Sequence, residues 1–238
     1  MHGLRYAASM SHLRIDVWSD LACPWCYVGK RRLEAALQKA GVTDADVVWR
    51  SFELDAHAPQ LHDTATPYAQ RLANKYRCSV GQAEQMIARM TDTAAVDGIT
   101  MRFDRAQPGN TFDAHRLLHL AHQHGLQNAL KERLFAAYLT DGEALGDHAT
   151  LLRLATQVGL PPDEVTAVLA SDRFATEVRA DEQMAKELSI SGVPFFVIAG
   201  RLAVSGAQPV DVLASALAQG RTMLEPSDGA SCGPASCD

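Results

Sequence analysis

Two thiols three residues apart, Cys23 and Cys26 in Cys23-Pro24-Trp25-Cys26, are the residues of this 238-residue chain best suited to do chemistry. A dithiol at this spacing can cycle between a closed disulfide and two free thiols, which is redox chemistry. A structural zinc site needs two further Cys or His ligands at ordered spacing, and none lies nearby in sequence. The remaining reading is two cysteines serving as small buried apolar side chains, and a Pro-Trp insert at a helix start argues against it. A second pair stands near the C-terminus in Cys232-Gly233-Pro234-Ala235-Ser236-Cys237. Gly233-Pro234 can turn the chain, so Cys232 and Cys237 read as a second redox couple exchanging with Cys23, as an idle tail, or as two metal ligands. The fifth cysteine, Cys78, has no partner near in sequence and reads as a buried structural thiol.

The elements that must position the dithiol can be read around it. Arg14-Ile15-Asp16-Val17-Trp18 alternates toward a strand over 14–18, and helix formers with Leu33 and Leu37 one turn apart predict a helix over 23–40. Cys23 then sits where strand meets helix. The free N–H groups and positive dipole end of the first turn favour a thiolate there, and Pro24 suits the opening position because its missing donor costs little. Cys23 is expected to be the exposed nucleophile, and Cys26, one turn later and more shielded, the resolving thiol.

A strand over 46–53 completes a β-α-β unit with parallel strands. Far downstream, Ser191-Gly192-Val193-Pro194 opens Phe195-Phe196-Val197-Ile198, a buried strand. Pro194 suits a strand start, and sequence leaves the isomer of its bond to Val193 open. A tight turn at Gly200-Arg201, a strand over 202–205 and a helix over 209–219 follow. Residues 64–188 read as about six helices, punctuated by Gly125, Gly142, Gly159 and Pro161-Pro162 and capped by Ser79, by Asn110 or Thr111, and by Asp147. The expected organisation is α/β. Residues 12–63 and 189–221 form a mixed sheet flanked by helices, 64–188 an all-helical insertion, and 222–238 a flexible tail.

Other ionisable groups are weaker candidates. Asp20 and Glu53 neighbour the dithiol by strand position; either could relay protons, but surface solvation is the expected role. His115, His119 and His122 share a helix face, and without a carboxylate or thiol at matching spacing they are expected to face a cleft or solvent rather than hold a metal.

Composition narrows the function classes. At 47% hydrophobic residues the chain can bury a full core without structural disulfides. A net charge of −6 offers no footprint for nucleic acid or an anionic membrane, so neither is an expected partner. No apolar stretch approaches the ~20 residues of a membrane span, and residues 1–20 lack an uninterrupted apolar core, so a cytoplasmic location is expected. There, most thiols are kept reduced, and the direction of electron flow depends on a reduction potential that sequence does not disclose.

Asp20-Leu21-Ala22-Cys23-Pro24-Trp25-Cys26-Tyr27-Val28-Gly29, Trp49-Arg50-Ser51-Phe52-Glu53-Leu54 and Gly192-Val193-Pro194-Phe195-Phe196 together resemble the DsbA-like branch of the thioredoxin superfamily, FrnE-type oxidoreductases in particular. The resemblance implies a thioredoxin fold with a large helical insertion and a cis-proline loop packed on the CxxC pair. Val193 would offer backbone hydrogen bonds to a bound peptide, and Pro194 would be the cis residue. It implies thiol–disulfide exchange on disulfide-containing or dithiol client proteins, with no cofactor and the thioredoxin or glutathione system as electron donor. FrnE-type proteins with an extra C-x4-C resemble the tail. The segment from Asn110 to Leu117 also looks like one recurring in FrnE-type proteins and hydroxychromene carboxylate isomerases, which implies that Asn110 and His115 face the cleft. Two rivals remain. One is a glutathione-dependent isomerase or kappa-type glutathione transferase, relatives that usually carry serine where Cys23 stands. The other is a metal-binding or chaperone-like module.

Overall fold

The computed structural model describes residues 12–61 and 65–224. Strand β1 (Arg14–Ser19) alternates because it separates two packed faces: Ile15 and Val17 enter one apolar cluster, and Trp18 enters another on the opposite side. Helix α1 (Pro24–Lys39) follows, then β2 (Asp46–Ser51), which pairs parallel to β1 with Val17 opposite Trp49. Strand β2 stops two residues short of the expected 53 because its backbone donors turn elsewhere: Glu53 N–H bonds Glu182 and Leu54 N–H bonds Asp20.

Seven helices come next: α2 (Tyr68–Tyr76), α3 (Val80–Val96), α4 (Phe112–Gln123), α5 (Gln127–Ala136), α6 (His148–Gln157), α7 (Pro162–Leu169) and α8 (Ala175–Glu187). A π turn, Ala137–Asp141, extends α5. The count exceeds six because the break between α7 and α8 carries no glycine or proline; Phe174 itself adopts a left-handed φ of 66°. Ser79 and Gln82 close a reciprocal capping box, and Asp147 accepts from Thr150 N–H at 2.8 Å. At the start of α4 the capping is divided. Thr111 holds the N-cap position, but the side chain that accepts from the helix is Asn110, from Phe112 N–H at 2.8 Å.

Strands β3 (Phe195–Ile198) and β4 (Leu202–Ser205) and helix α9 (Val210–Thr222) complete the fold. The sheet order is β2-β1-β3-β4, with β3 antiparallel to β1 and β4 antiparallel to β3. This is the mixed sheet of a thioredoxin fold. Leu33 and Ala36 of α1 and Leu213 and Leu217 of α9 cover one face, against Ile15, Val17, Phe196 and Ile198. Each such large aliphatic side chain contributes about 1.5–3 kcal/mol when fully buried.

The first turns of α1 belong to a different core. Cys23, Cys26, Tyr27 and Val28 pack with Leu117 and Leu118 of α4 and Leu130, Leu134 and Phe135 of α5. The motif therefore lies where the helical layer meets the sheet. Asp181 of α8 fastens the same junction: its carboxylate accepts from Arg50 Nη1 and Ser51 N–H, each at 2.9 Å, while its carbonyl accepts from Trp18 Nε1. Among the described residues, no helix is long and apolar enough to cross a membrane.

Candidate active site

Cys23 is the N-cap of α1, extended at φ −93° and ψ 112°, and Pro24 begins the helix. Cys26 N–H closes the first turn onto the Cys23 carbonyl at 3.0 Å. The Cys23 thiol donates across the molecule to the carbonyl of Val193, 3.7 Å away, and the Val193–Pro194 peptide bond is cis. Gly29 makes this approach possible. A Cβ built there would stand 2.8 Å from Pro194 Cγ and 3.3 Å from Phe196 Cζ, so only glycine lets α1 lie directly on the proline loop.

The two thiols differ electrostatically. The Cys26 side chain hydrogen-bonds the Cys23 sulfur and, against the opposing effect of burial, lowers the Cys23 thiol below its ordinary value; the Cys26 and Trp25 N–H groups add to this. Burial, then the neighbouring Cys23, pushes Cys26 well up. Cys23 is 6% exposed and Cys26 fully buried. Cys23, expected to be exposed, is instead buried, because the helical core packs on it and Val193 lies over its sulfur.

Behind the thiols lies a buried polar group that sequence did not foreshadow. Asp20, expected at the surface, is 1% exposed. Its carboxylate accepts from Leu54 N–H at 2.8 Å, Thr111 Oγ1 at 3.0 Å and Ala22 N–H at 3.2 Å, while its own carbonyl accepts from Cys23 N–H. Burial works against the charge, yet the His115 ring 3.6 Å away and these N–H donors hold the carboxyl below its ordinary value. Burial pushes the His115 imidazole down, toward the neutral form. Lys131 of α5 is also fully buried, its Nζ donating to the Ser19 carbonyl at 3.3 Å. The signal for Lys131 was positional: it lies one turn from Gln127 and from Phe135, on the buried stripe of α5 with Leu134.

A family model described as the DSBA-like thioredoxin domain matches residues 14–218. The chain belongs to the DSBA-like thioredoxin domain family. It is similar to the crystal structure of a probable DsbA oxidoreductase from Streptomyces coelicolor, at 41% identity and a TM-score of 0.83 over 95% of this chain and 99% of that one. It is 27% identical over 208 residues to the uncharacterised protein YwbO of Bacillus subtilis (strain 168), covering 86% of this chain and 96% of YwbO. The 2-hydroxychromene-2-carboxylate isomerase structure shares the fold, with 15% identity and a TM-score of 0.64 over 87% of this chain and 95% of that chain.

In this DsbA-like chain the other sequence candidates scatter. Trp25 is 45% exposed beside the thiols. Asn110 is half-buried and tied to the 58–59 loop, its Nδ2 donating to Ala58 and its N–H to Pro59. His115 is buried beside Asp20 rather than open to a cleft. His119 bonds Ser51 Oγ and Asp181, both at 3.2 Å, while His122 is exposed, so the three histidines do not converge. The Glu53 carboxylate is not solvated: its side chain is buried and paired with Arg179 at 2.5 Å. Cys78 is half-buried rather than buried. Cys232 and Cys237 lie outside the described residues. Among the described residues no three Cys, His, Asp or Glu side chains gather as metal ligands.

Proposed function

We propose that Cys23 and Cys26 carry out thiol–disulfide exchange on client proteins, with Cys23 as nucleophile and Cys26 as resolving thiol. The enzyme class, thiol–disulfide oxidoreductase, is that of the DsbA-like family. The observation that carries the assignment is the split between two adjacent thiols: Cys23 is lowered, faces the Val193 carbonyl and retains some exposure, whereas Cys26 is raised and fully buried. In the reductive direction the Cys23 thiolate attacks one sulfur of a client disulfide, forming a mixed disulfide and releasing the other client sulfur as a thiolate. Cys26 then attacks the Cys23 sulfur. The Cys23–Cys26 disulfide forms, the second client sulfur leaves, and two electrons have passed to the client. The oxidised enzyme runs the same steps backward.

In this reading the client chain lies along the Val193-Pro194 loop, with exposed Trp25, within the motif itself, as an apolar contact. The reaction takes place in the cytoplasm, with the thioredoxin or glutathione system regenerating the dithiol, and Cys232 and Cys237 serve as a second redox pair. Insulin disulfide reduction driven by a dithiol tests the whole: wild type should turn over, Cys23→Ser should not, and Cys232→Ser with Cys237→Ser should slow it. Equal rates for wild type and Cys23→Ser would sink the assignment. An unchanged rate in the tail variant would remove only the second pair.

A further inference from the structure

Among the buried charges that the mechanism above leaves unused, Lys131 stands apart. Lys131 is fully buried and bonds one acceptor, the Ser19 carbonyl. The rings of Phe135 and Trp49 lie 5.1 and 5.6 Å from its Nζ, and among the described residues it forms no ion pair. The Asp20 carboxylate acts on Lys131 only from beyond ion-pair contact, and an ammonium removed from water without a carboxylate in contact is costly, so its survival in a core calls for a further group that becomes its partner. Its neighbour Lys30, by contrast, is held by Glu34 at 2.6 Å and Glu132 at 2.8 Å. Ser19, which holds Lys131, is the strand residue from which the chain turns toward the CxxC motif, and Phe135 stacks on Tyr27, next to Cys26.

We propose that Lys131 is a positioning residue that supplies the counter-charge for the Cys26 thiolate in the resolving step. This rests on the resolving role given to Cys26 above. In that step Cys26 gives up its proton to water, its thiolate attacks the Cys23 sulfur, the Cys23–Cys26 bond forms and the client thiolate leaves. Without a nearby cation, ionising a fully buried thiol is prohibitive. Burial sets Lys131 at about 8, with Cys26, Asp20 and Cys23 opposing that fall. Burial likewise raises Cys26, and the Lys131 charge acts in the other direction. The charges that act on Lys131 are those of Cys26, Cys23 and Lys30 from α1, Asp20 from the loop before it, and His115 from α4; in contact it meets the Ser19 carbonyl of β1 and the rings of Trp49 of β2 and Phe135 of its own helix.

The test uses the full-length reduced chain with Cys78, Cys232 and Cys237 replaced by serine in every variant, so that only Cys23 and Cys26 react, and an aromatic disulfide that releases a coloured thiolate. The first release reports attack by Cys23, and the second reports resolution by Cys26. Lys131→Met should leave the first release unchanged, slow the second about tenfold at neutral pH, and move its pH midpoint up by about one unit. Lys131→Arg, charged throughout, should keep the wild-type midpoint or lower it. A second release unchanged in Lys131→Met, or a midpoint raised as far in Lys131→Arg as in Lys131→Met, would overturn the proposal. If Lys131→Met lacks the wild-type circular dichroism spectrum, Lys131→Gln, which keeps a donor for Ser19, takes its place with the same expectations. Absence of the first release in wild type, or a second release surviving in Cys26→Ser, would instead overturn the underlying oxidoreductase reading.

Discussion

The Cys23 sulfur lies 3.7 Å from the carbonyl oxygen of Val193, a residue 170 positions away that immediately precedes the cis-bonded Pro194. Any chain that bonds covalently to Cys23 must therefore run beside this loop. The other thiol, fully buried one turn along α1, can reach only the Cys23 sulfur from behind. These two constraints frame the expectations for the dithiol.

Removing the resolving thiol should trap the client. Cys26→Ser incubated with reduced insulin and an oxidant is expected to accumulate a mixed disulfide on Cys23 alone, seen as a mass adduct on the peptide containing Cys23. Cys23→Ser should form no adduct there and lower insulin reduction by about 1000-fold, the scale of losing a covalent nucleophile. Equal adduct formation in both variants would contradict the division of roles.

The pH dependence follows from the direction of the shifts. Because the Cys23 thiol is lowered, its thiolate fraction at neutral pH exceeds that of a free cysteine, and its alkylation rate should reach half-maximum below pH 9.0. The Cys26 side chain is the largest cause, so Cys26→Ala should move that midpoint upward. Iodoacetamide rates across pH 5 to 10, followed by peptide mass analysis, would show it. A midpoint lower in Cys26→Ala than in wild type would refute the assigned cause.

Asp20→Asn should destabilise the fold by about 2 kcal/mol, because an amide has one acceptor oxygen where the carboxylate serves Leu54, Thr111 and Ala22 with two. Asp20 is lowered in the folded protein, so its contribution is present above its ordinary 3.8 and is lost as pH falls through the lower folded value. Urea midpoints of the two proteins should differ at pH 7 and converge well below pH 4. A constant difference across that range would mean that packing, not charge, holds the site.

Gly29→Ala tests the contact between α1 and the proline loop. The added methyl would sit 2.8 Å from a Pro194 ring carbon, so helix or loop must shift. Overpacking of this kind costs about 1–3 kcal/mol. Turnover should fall about tenfold through displacement of Cys23 from Val193, a larger effect than the lowered melting temperature explains. Wild-type turnover with a wild-type melting temperature would show that the loop yields without consequence.

Much of the sheet layer was legible in the chain because its signals are local. Alternation in 14–18, the run Phe195-Phe196-Val197-Ile198 and the Ser79 capping box each act within a few residues, and the structure shows the strands β1 and β3 and the cap they imply. Boundaries were less legible where long-range hydrogen bonds intervene: β2 ends at Ser51 because Asp20 and Glu182 take the next donors. The helix count missed one break because Phe174 turns the chain without a glycine.

By itself the sequence determined that two thiols stand at the start of a helix that follows a strand, since residue spacing and N-terminal helix chemistry are properties of contiguous residues. Only the tertiary structure decided what surrounds them. Asp20, His115 and Lys131 come from a loop and two helices; Asp20 was expected at the surface and His115 at a cleft, and packing removes all three from water. Burial and long-range electrostatics depend on which elements meet, and neither is written in the local order of residues. The same holds for the meeting of Cys23 with Val193, which required the sheet to bring β1 and β3 side by side before the two ends of the chain could form one site.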